Sequence, residues 1–277
     1  MKRQAVWQRV LLWICIVLLL AFVLLPVIWM LSISFKPSAE TFQKEVKLFP
    51  QQPTLENYKL VFTFIPYTKY FKNSLIVTSV TVIFSILVST LAGYSFSRFS
   101  FYGKSLIAFL ILATQMFPLV TGIIPLYLIF SKLRLIDNYG SLWLAYIAFT
   151  IPFCTWMLKG FFDSIPIELE DSAKIDGCTP LGTLARIILP LSLPALAATA
   201  LFCFILAWNE FLYATVFTTS EKARTLPAAL GLMMGQGYTQ WGGLNAAGVL
   251  TTIPVVIFFV LLQRYLIQGL TAGALKG

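Results

Sequence analysis

The chain has 277 residues, of which 58% are hydrophobic and only 11% are charged, and its formal net charge is +9. Soluble globular domains contain about 25% charged residues, so the composition argues against a soluble protein. Histidine is absent, which removes the commonest general base and metal ligand near neutral pH. We assign the positive charge to contacts with membrane lipid and not to nucleic acid.

Six long apolar runs predict six transmembrane helices. Each run reaches the roughly 20 residues that an α-helix needs to cross a hydrocarbon core about 30 Å thick, where water-free surroundings favour helices over open sheets. Pro118, Gly122 and Pro125 in the third run predict a kink. We therefore expect an all-α, polytopic membrane protein in which residues 1–277 form a single transmembrane domain. The predicted spans cover about residues 10–35, 73–97, 105–131, 138–158, 190–218 and 246–268.

With six spans, both ends of the chain lie on the same side of the membrane. Lys2, Arg3 and Arg9 precede an apolar run that is longer than the roughly 7 to 15 residues of a secretory signal, so we interpret it as an uncleaved span. The 20 basic residues divide equally between the two sides, and their count does not settle the orientation. The basic N-terminal tail and the short connector from Arg98 to Lys104 favour cytoplasmic termini.

The sequence indicates no catalytic, metal or cofactor site in this chain. Gly103-Lys104-Ser105 ends like a phosphate-binding loop, but the first glycine of that motif would stand at position 98, which is Arg98. The four cysteines are scattered without paired spacing, which argues against disulfides and metal binding. They are Cys15, Cys154, Cys178 and Cys203.

A charged segment between the fourth and fifth runs predicts a short helix over about residues 166–177. Pro166 suits a first helical turn, acidic residues follow where they complement the helix dipole, and Gly177 with Pro180 ends the helix. At 1.5 Å per residue it spans roughly 16 Å, which is too short to cross a bilayer, so we expect it to lie along the membrane face. It is either a solvated connector or a docking helix for a partner.

Asn209 and Glu210 interrupt or closely follow the fifth run. An acidic residue inside a membrane indicates a functional site, because burying its charge is costly. If the span starts near Ala195, Glu210 lies well inside the bilayer. If it starts near Ile187, the carboxylate reaches the far interface. Both residues are therefore candidates for a functional site, with an interfacial position as the alternative.

The last external loop, from Gly235 to Gly243, combines glycines with aromatic and amide side chains. Aromatic faces and amide hydrogen-bonding groups suit a sugar or a protein partner. The alternative is an aromatic belt beside a turn. The candidate contact residues are Gln236, Tyr238, Gln240 and Trp241.

The order of residues in the charged segment resembles the permeases of maltose-type carbohydrate importers, which belong to the ATP-binding-cassette class. Asp171-Ser172-Ala173 stands where that family has Glu-Ala-Ala, Gly177 stands at the glycine of the same motif, and Leu189-Pro190 matches its Leu-Pro. The segment FLYATVF preceded by AWNE, and the ending QGLTAGALKG, are similar to the smaller permease subunit of that family.

The resemblance implies that the chain is a membrane subunit that translocates a carbohydrate by alternating access and is not an enzyme. The short helix is then a cytoplasmic coupling helix that inserts into a partner ATPase. The implied partners are a second permease subunit forming a heterodimer, two ATPase subunits that bind the ATP, and an extracytoplasmic substrate-binding protein touched by the last external loop. The chain would be a multi-pass protein of the inner cell membrane with both termini in the cytoplasm. For Asn209 and Glu210 the resemblance implies a role in lining the pathway or in helix packing. The implied ATPase-coupling residues are Glu170, Asp171, Ser172, Ala173, Asp176 and Gly177.

An alternative function is an ion-coupled secondary transporter in which Glu210 carries the proton or sodium ion. Uptake that persists without an ATPase and collapses with the proton gradient would favour this alternative. An intramembrane enzyme is disfavoured, because no nucleophile and base occur at a motif-like spacing.

Overall fold

The computed structural model describes residues 6–41, 47–234 and 240–274, and side chains within residues 7–41, 47–234 and 240–265. Every regular element in these ranges is helical. Two short turns of other helix types occur, a 3-10 turn at Leu119–Gly122 and a π turn at Leu184–Ile188. The α-helices are α1 (Val6–Ser34), α2 (Ser38–Thr41), α3 (Glu56–Phe64), α4 (Tyr67–Arg98), α5 (Lys104–Thr114), α6 (Ile123–Lys132), α7 (Tyr139–Asp163), α8 (Glu168–Ile175), α9 (Pro180–Thr183), α10 (Leu189–Leu191), α11 (Leu193–Trp208), α12 (Leu212–Phe217), α13 (Leu226–Met234) and α14 (Trp241–Ala274).

The described helices confirm the all-α, polytopic class. Four helical segments are long and apolar enough to cross a membrane alone, and two bent pairs qualify together, which gives four to six spans. The single segments are Trp7–Ser34, Tyr67–Arg98, Tyr139–Asp163 and Trp241–Tyr265. The pairs are Lys104–Thr114 with Leu119–Lys132, bent by 95°, and Pro180–Leu191 with Leu193–Trp208, bent by 81°.

One of these bends and a separate break explain where the helices differ from the predicted spans. In the third span α5 ends at Thr114 and Pro118 leads into the 3-10 turn, so the predicted kink is a sharp bend. The predicted span 190–218 is two helices, because α11 ends at Trp208 and α12 begins only at Leu212. Length and hydropathy do not distinguish a continuous helix from one that restarts after a short break.

The chain forms two compact units. The first comprises Met1–Tyr67 and Leu230–Ile253, and the second comprises Thr68–Ala229 and Pro254–Gly277. In the first unit, the buried Asn57 side chain of α3 donates hydrogen bonds to the carbonyls of Ser34 (3.0 Å) and Lys36. These carbonyls lie at the end of α1 and have no helical partner, so Asn57 satisfies them and fixes α3 against that end.

In the second unit, α4 and α7 pack closely through small residues. A Cβ atom at Gly93 would lie 3.1 Å from the backbone nitrogen of Lys159, so a larger residue would require the two helices to shift by a few tenths of an ångström. The hydroxyls of Ser85 and Thr150 hydrogen-bond across the same interface at 2.7 Å. Small side chains that share hydrogen bonds are typical of helix contacts in membranes. This packing gives α4 a fixed position from which both of its ends can hold other segments.

At the start of α4, buried Asn73 and its neighbours hold the loop that precedes α13. The Asn73 amide donates to the carbonyl of Arg224 (2.8 Å) and to those of Glu221 and Lys222 (both 3.3 Å), and its oxygen accepts a hydrogen bond from Tyr139. The hydroxyl of Ser74 accepts a hydrogen bond from the Leu226 backbone. The start of α4 thereby fixes this loop along its length.

The turn before α7 is tied to the same loop by Asp137, whose φ is +62°. Its carboxylate accepts hydrogen bonds from the backbone of Thr219 (3.1 Å) and from the backbone and hydroxyl of Ser220. Partial burial raises the pKa of the Asp137 carboxyl, but the Ser220 and Thr219 hydrogen bonds and the Lys222 charge outweigh burial and bring the pKa below its ordinary value. The ionised carboxylate is therefore the form that locks the two segments together.

Asp137→Asn is expected to lower the free energy of unfolding of the chain by about 1–2 kcal/mol at pH 7. The reason is that hydrogen bonds to a charged acceptor are stronger than hydrogen bonds to a neutral one. Asparagine keeps the shape and tolerates the positive φ, so charge is the main change. The pKa is lower in the folded state. The stabilisation is therefore complete above the unfolded pKa of about 3.9 and is lost as the pH falls through the folded value.

Unfolding in detergent, followed by tryptophan fluorescence between pH 3 and 7, measures the difference. Asp176→Asn, at an exposed position, is the control, and equal stability of Asp137→Asn and the parent at pH 7 would contradict this role.

Candidate functional site

The short charged helix predicted from the sequence is α8, with eight residues. Glu168, Glu170 and Asp171 occupy its first turn and Lys174 its last, which complements the helix dipole. The predicted bounds were wider by about two residues at each end, as is usual for helix termini. In the second unit, buried Phe162, Ile165, Leu184 and Ile188 form a cluster with Tyr94 of α4 next to this helix.

Gly177 ends α8 in a Schellman arrangement. The backbone nitrogen of Gly177 donates to the carbonyl of Lys174 (3.0 Å), and that of Cys178 donates to the carbonyl of Ala173 (2.9 Å). This cap requires a left-handed residue, and Gly177 has a φ of +81°. The glycine thus stops the helix with its last carbonyls satisfied, which keeps α8 a short rod of defined length.

The inward face of α8 is held to the end of α4. Glu170 and Ala173 are only 3% and 2% exposed. The Glu170 carboxylate forms an ion pair with Arg98 and accepts a hydrogen bond from the Tyr94 hydroxyl at 2.9 Å. Arg98 also donates to the carbonyl of Ile165 at 2.9 Å, just before α8. Both charges are therefore buried, paired and further hydrogen-bonded, which is the condition under which a buried ion pair holds a structure together.

The outward face of α8 combines acidic and apolar side chains. Asp171 and Lys174 form an exposed pair at 2.9 Å, and this hydrogen bond raises the pKa of Lys174. Ile175 is 87% exposed, and Leu181 is also exposed a short distance along the chain. Exposed apolar side chains beside the charges of α8 suit a contact with another protein.

The six predicted coupling residues therefore divide into two groups. Glu170 and Ala173 face the interior, and the exposed residues are Asp171, Ser172, Asp176 and Gly177. Sequence reasoning missed Tyr94 and Arg98 as the anchors of α8 and Ile175 as its most exposed apolar residue. Ile175 carried a usable signal, because an isoleucine beside Lys174 and Asp176 breaks the polar face of a solvated helix.

The two pathway candidates lie in the break between α11 and α12. The exposed Asn209 donates its side-chain amide to the carbonyl of Ile205 at 2.9 Å, at the end of α11. The Glu210 carboxylate accepts hydrogen bonds from the backbone nitrogens of Tyr213 (2.8 Å) and Ala214 (3.0 Å) and from the hydroxyl of Tyr146 (2.6 Å). Glu210 thus satisfies the first amides of α12 and links them to α7. A pathway role for either residue stays a prediction.

Two of the four candidates in the last external loop, Gln236 and Tyr238, lie outside the described residues. Gln240 is exposed, and Trp241 begins α14 with 46% of its surface exposed. An exposed tryptophan at a helix start suits a contact with a ligand or a partner and equally a membrane interface. Contact with a binding protein stays a prediction for this loop.

Four to six apolar spans together with a capped, surface-exposed charged helix define a polytopic membrane protein with a candidate docking element. Residues 85–272 match the family described as binding-protein-dependent transport system inner membrane component. The chain belongs to this family, and it is a membrane permease subunit and not an enzyme. The resemblance noted in the sequence is confirmed.

Two relatives and one solved structure give the scale of the similarity. The chain is 41% identical over 278 residues to the trehalose/maltose transport system permease protein MalG of Thermococcus litoralis, covering 99% of each chain. It is 40% identical to the sulfoquinovosyl glycerol transport system permease protein SmoH of Agrobacterium fabrum, covering 92% of this chain and 89% of that protein. A bacterial ABC transporter that imports the acidic polysaccharide alginate contains a chain with a TM-score of 0.78 and 26% identity, matched over 96% of this chain and 99% of that one.

Proposed function

We propose that this chain is one of two membrane subunits of an ATP-binding-cassette importer. The importer passes a carbohydrate from an extracytoplasmic binding protein to the cytoplasm by alternating access. The proposal rests on the two different faces of α8. One face is exposed, and the other is buried against α4, where Glu170 forms an ion pair with Arg98. The sugar class is supported by the relatives, whose names specify trehalose, maltose and sulfoquinovosyl glycerol.

In this proposal the two faces of α8 have different tasks. Asp171, Ser172 and Asp176, with Ile175, meet a cleft on an ATPase subunit, while Glu170 and Ala173 connect the helix to the membrane domain. A short rod that is capped at its end and anchored along one side moves as a rigid body. Closure of two ATPase subunits around ATP would therefore displace α8 and, through the Arg98 pair, the end of α4. ATP is bound by those partners, and α8 lies in the cytoplasm together with both termini.

The ion-coupled alternative receives no support from Glu210. Both carboxylate oxygens accept hydrogen bonds, from Tyr213, Ala214 and Tyr146, so the group already has a structural task at the start of α12. Uptake in vesicles still separates the two functions. Transport that requires the ATPase and survives an uncoupler of the proton gradient supports the importer, and the reverse pattern contradicts it.

Affinity purification of the tagged chain from its native membrane in mild detergent tests the composition of the complex. We expect a second permease subunit and ATPase subunits to co-purify. Ile175→Cys on the exposed face of α8 should cross-link to an ATPase subunit, whereas Ala173→Cys on the buried face should not. Recovery of the chain alone, or cross-links from Ile175→Cys to no nucleotide-binding protein, would overturn the proposal.

A further inference from the structure

Six basic residues of the second unit lie on three segments that hydrogen bonds hold together. These segments are the start of α4, the turn between α6 and α7, and the loop before α13. We call this surface the basic platform. Five of its side chains are exposed and the sixth, Arg224, is partly exposed. Its residues are Lys69, Lys72, Lys132, Arg134, Lys222 and Arg224.

The basic platform has a fixed geometry. Asn73 holds the backbone of residues 221, 222 and 224, and Asp137 holds Thr219 and Ser220, so the three segments are tied to one another. Arg224 donates to the carbonyl of Thr219 at 3.1 Å within the same loop. The cations are therefore displayed from a rigid base and not from independent loops.

Few acidic groups offset this charge. The three segments contain only two carboxylates, those of Asp137 and Glu221, against the six cations. The Asp137 carboxylate is directed to Thr219 and Ser220, and Glu221 pairs with Lys69 at 3.3 Å. Six positive charges less two negative ones leave the three segments with a net charge of +4, whose natural complement is an acidic surface.

The position of the basic platform makes the excess charge unusual. It adjoins the first turns of α4, whereas Arg98 at the other end of α4 holds α8. Because α4 has 32 residues, its two ends are separated by roughly 47 Å at 1.5 Å per residue. If α8 faces the cytoplasm, as in the proposed function, the basic platform faces the exterior. Basic residues are favoured in cytoplasmic loops, so a rigid positive surface on the exterior runs against that preference.

We propose that the basic platform is a docking surface for an acidic face of the extracytoplasmic binding protein, which it attracts by electrostatic steering. This inference rests on the proposed function, which supplies the orientation and the partner. A protein face explains the fixed geometry of the three segments, because charge complementarity between two rigid surfaces also sets their register. Fluid lipid headgroups require no such geometry.

The test uses the complete transporter in nanodiscs of neutral lipid and the binding protein that co-purifies with it. The variant Lys72→Gln/Lys132→Gln/Lys222→Gln removes three charges without removing a hydrogen bond of the platform. Its association rate with the binding protein should fall by about tenfold at low salt, since steering raises association rates by roughly 10- to 1000-fold. The difference should shrink at 1 M salt, where the screening length is only about 3 Å.

The control variant Lys2→Gln/Arg3→Gln/Arg9→Gln loses the same charge from the N-terminal tail and should associate at the parental rate. An unchanged rate in the platform variant, or an equal fall in the control, would overturn the inference. A fall that appears only in nanodiscs containing anionic lipid would also overturn it, because the headgroups would then be the counter-charge. Failure of any binding protein to co-purify or bind would instead count against the proposed function, so the two failures are distinct.

Discussion

Glu170→Ala is expected to destabilise the subunit by about 3–5 kcal/mol, because it leaves the buried Arg98 guanidinium without its counter-charge. Arg98→Ala should have a similar effect, since the Glu170 carboxylate would then retain only the Tyr94 hydroxyl as a partner. The double variant should cost less than the sum of the two single changes, because the energetic penalty of an unpaired charge disappears. Thermal and chemical unfolding of the parent, both single variants and the double variant in detergent measures the coupling between the two residues.

The adjacent exposed pair on the same helix provides a matched control. Asp171→Ala breaks a pair with Lys174 that is exposed on both sides, so its effect on stability should be small beside that of Glu170→Ala. Asp171→Ala should instead weaken binding to the ATPase subunit. Equal destabilisation by Glu170→Ala and Asp171→Ala, or an effect of Glu170→Ala on ATPase binding alone, would show that Glu170 is not an anchor.

Gly177→Val is expected to leave the spans inserted and to uncouple ATP hydrolysis from transport. A Cβ at Gly177 meets nothing within 4 Å, so the substitution causes no clash within the chain. The strain comes from the φ of +81° at this position. This left-handed conformation costs a residue with a side chain about 1–2 kcal/mol, and it costs a β-branched residue such as valine more. Losing the Schellman cap would lengthen or fray α8. Uptake per ATP hydrolysed should fall by about tenfold, the change that roughly 1.4 kcal/mol produces.

The connector before α5 contains a glycine in the same conformation. Gly103 has a φ of +80°, and a Cβ added there would likewise meet no atom within 4 Å, so Gly103→Val introduces equal strain away from α8. Uptake and ATP hydrolysis measured together in proteoliposomes separate the two sites. Coupled transport by Gly177→Val, or the same loss of coupling in Gly103→Val, would argue against a specific role for the end of α8.

The sequence predicted the class of the fold well, because long uncharged runs have few alternatives to membrane helices. It also predicted α8, since Pro166, the acidic first turn and Gly177 are local signals that need no tertiary information. The interior role of Glu170 was not predictable in the same way. Its partner Arg98 lies 72 positions away and reads as an ordinary interfacial cation. The basic platform was missed for the same reason, because its cations come from three separate segments that only the fold brings together.

The break between α11 and α12 shows a second limit. Asn209 and Glu210 stand out in an apolar run and were interpreted as pathway candidates. In the structure Glu210 accepts hydrogen bonds from the first free amides of α12, a task that hydropathy does not reveal. An acidic residue near a membrane can serve the backbone as well as a substrate, so the structural role of Glu210 leaves its pathway role a prediction.

The exposure of Ile175 has a consequence for how the subunit is made. Under the proposed function, a newly synthesised copy that has not yet bound an ATPase subunit exposes this apolar side chain to water, as it does those of Ile167 and Leu169. Chaperones and proteases act on exposed apolar surfaces, so we expect a subunit without its partners to be degraded sooner than an assembled one. The exposed face of α8, which in the proposed function contacts an ATPase subunit, would therefore be covered only in the assembled importer.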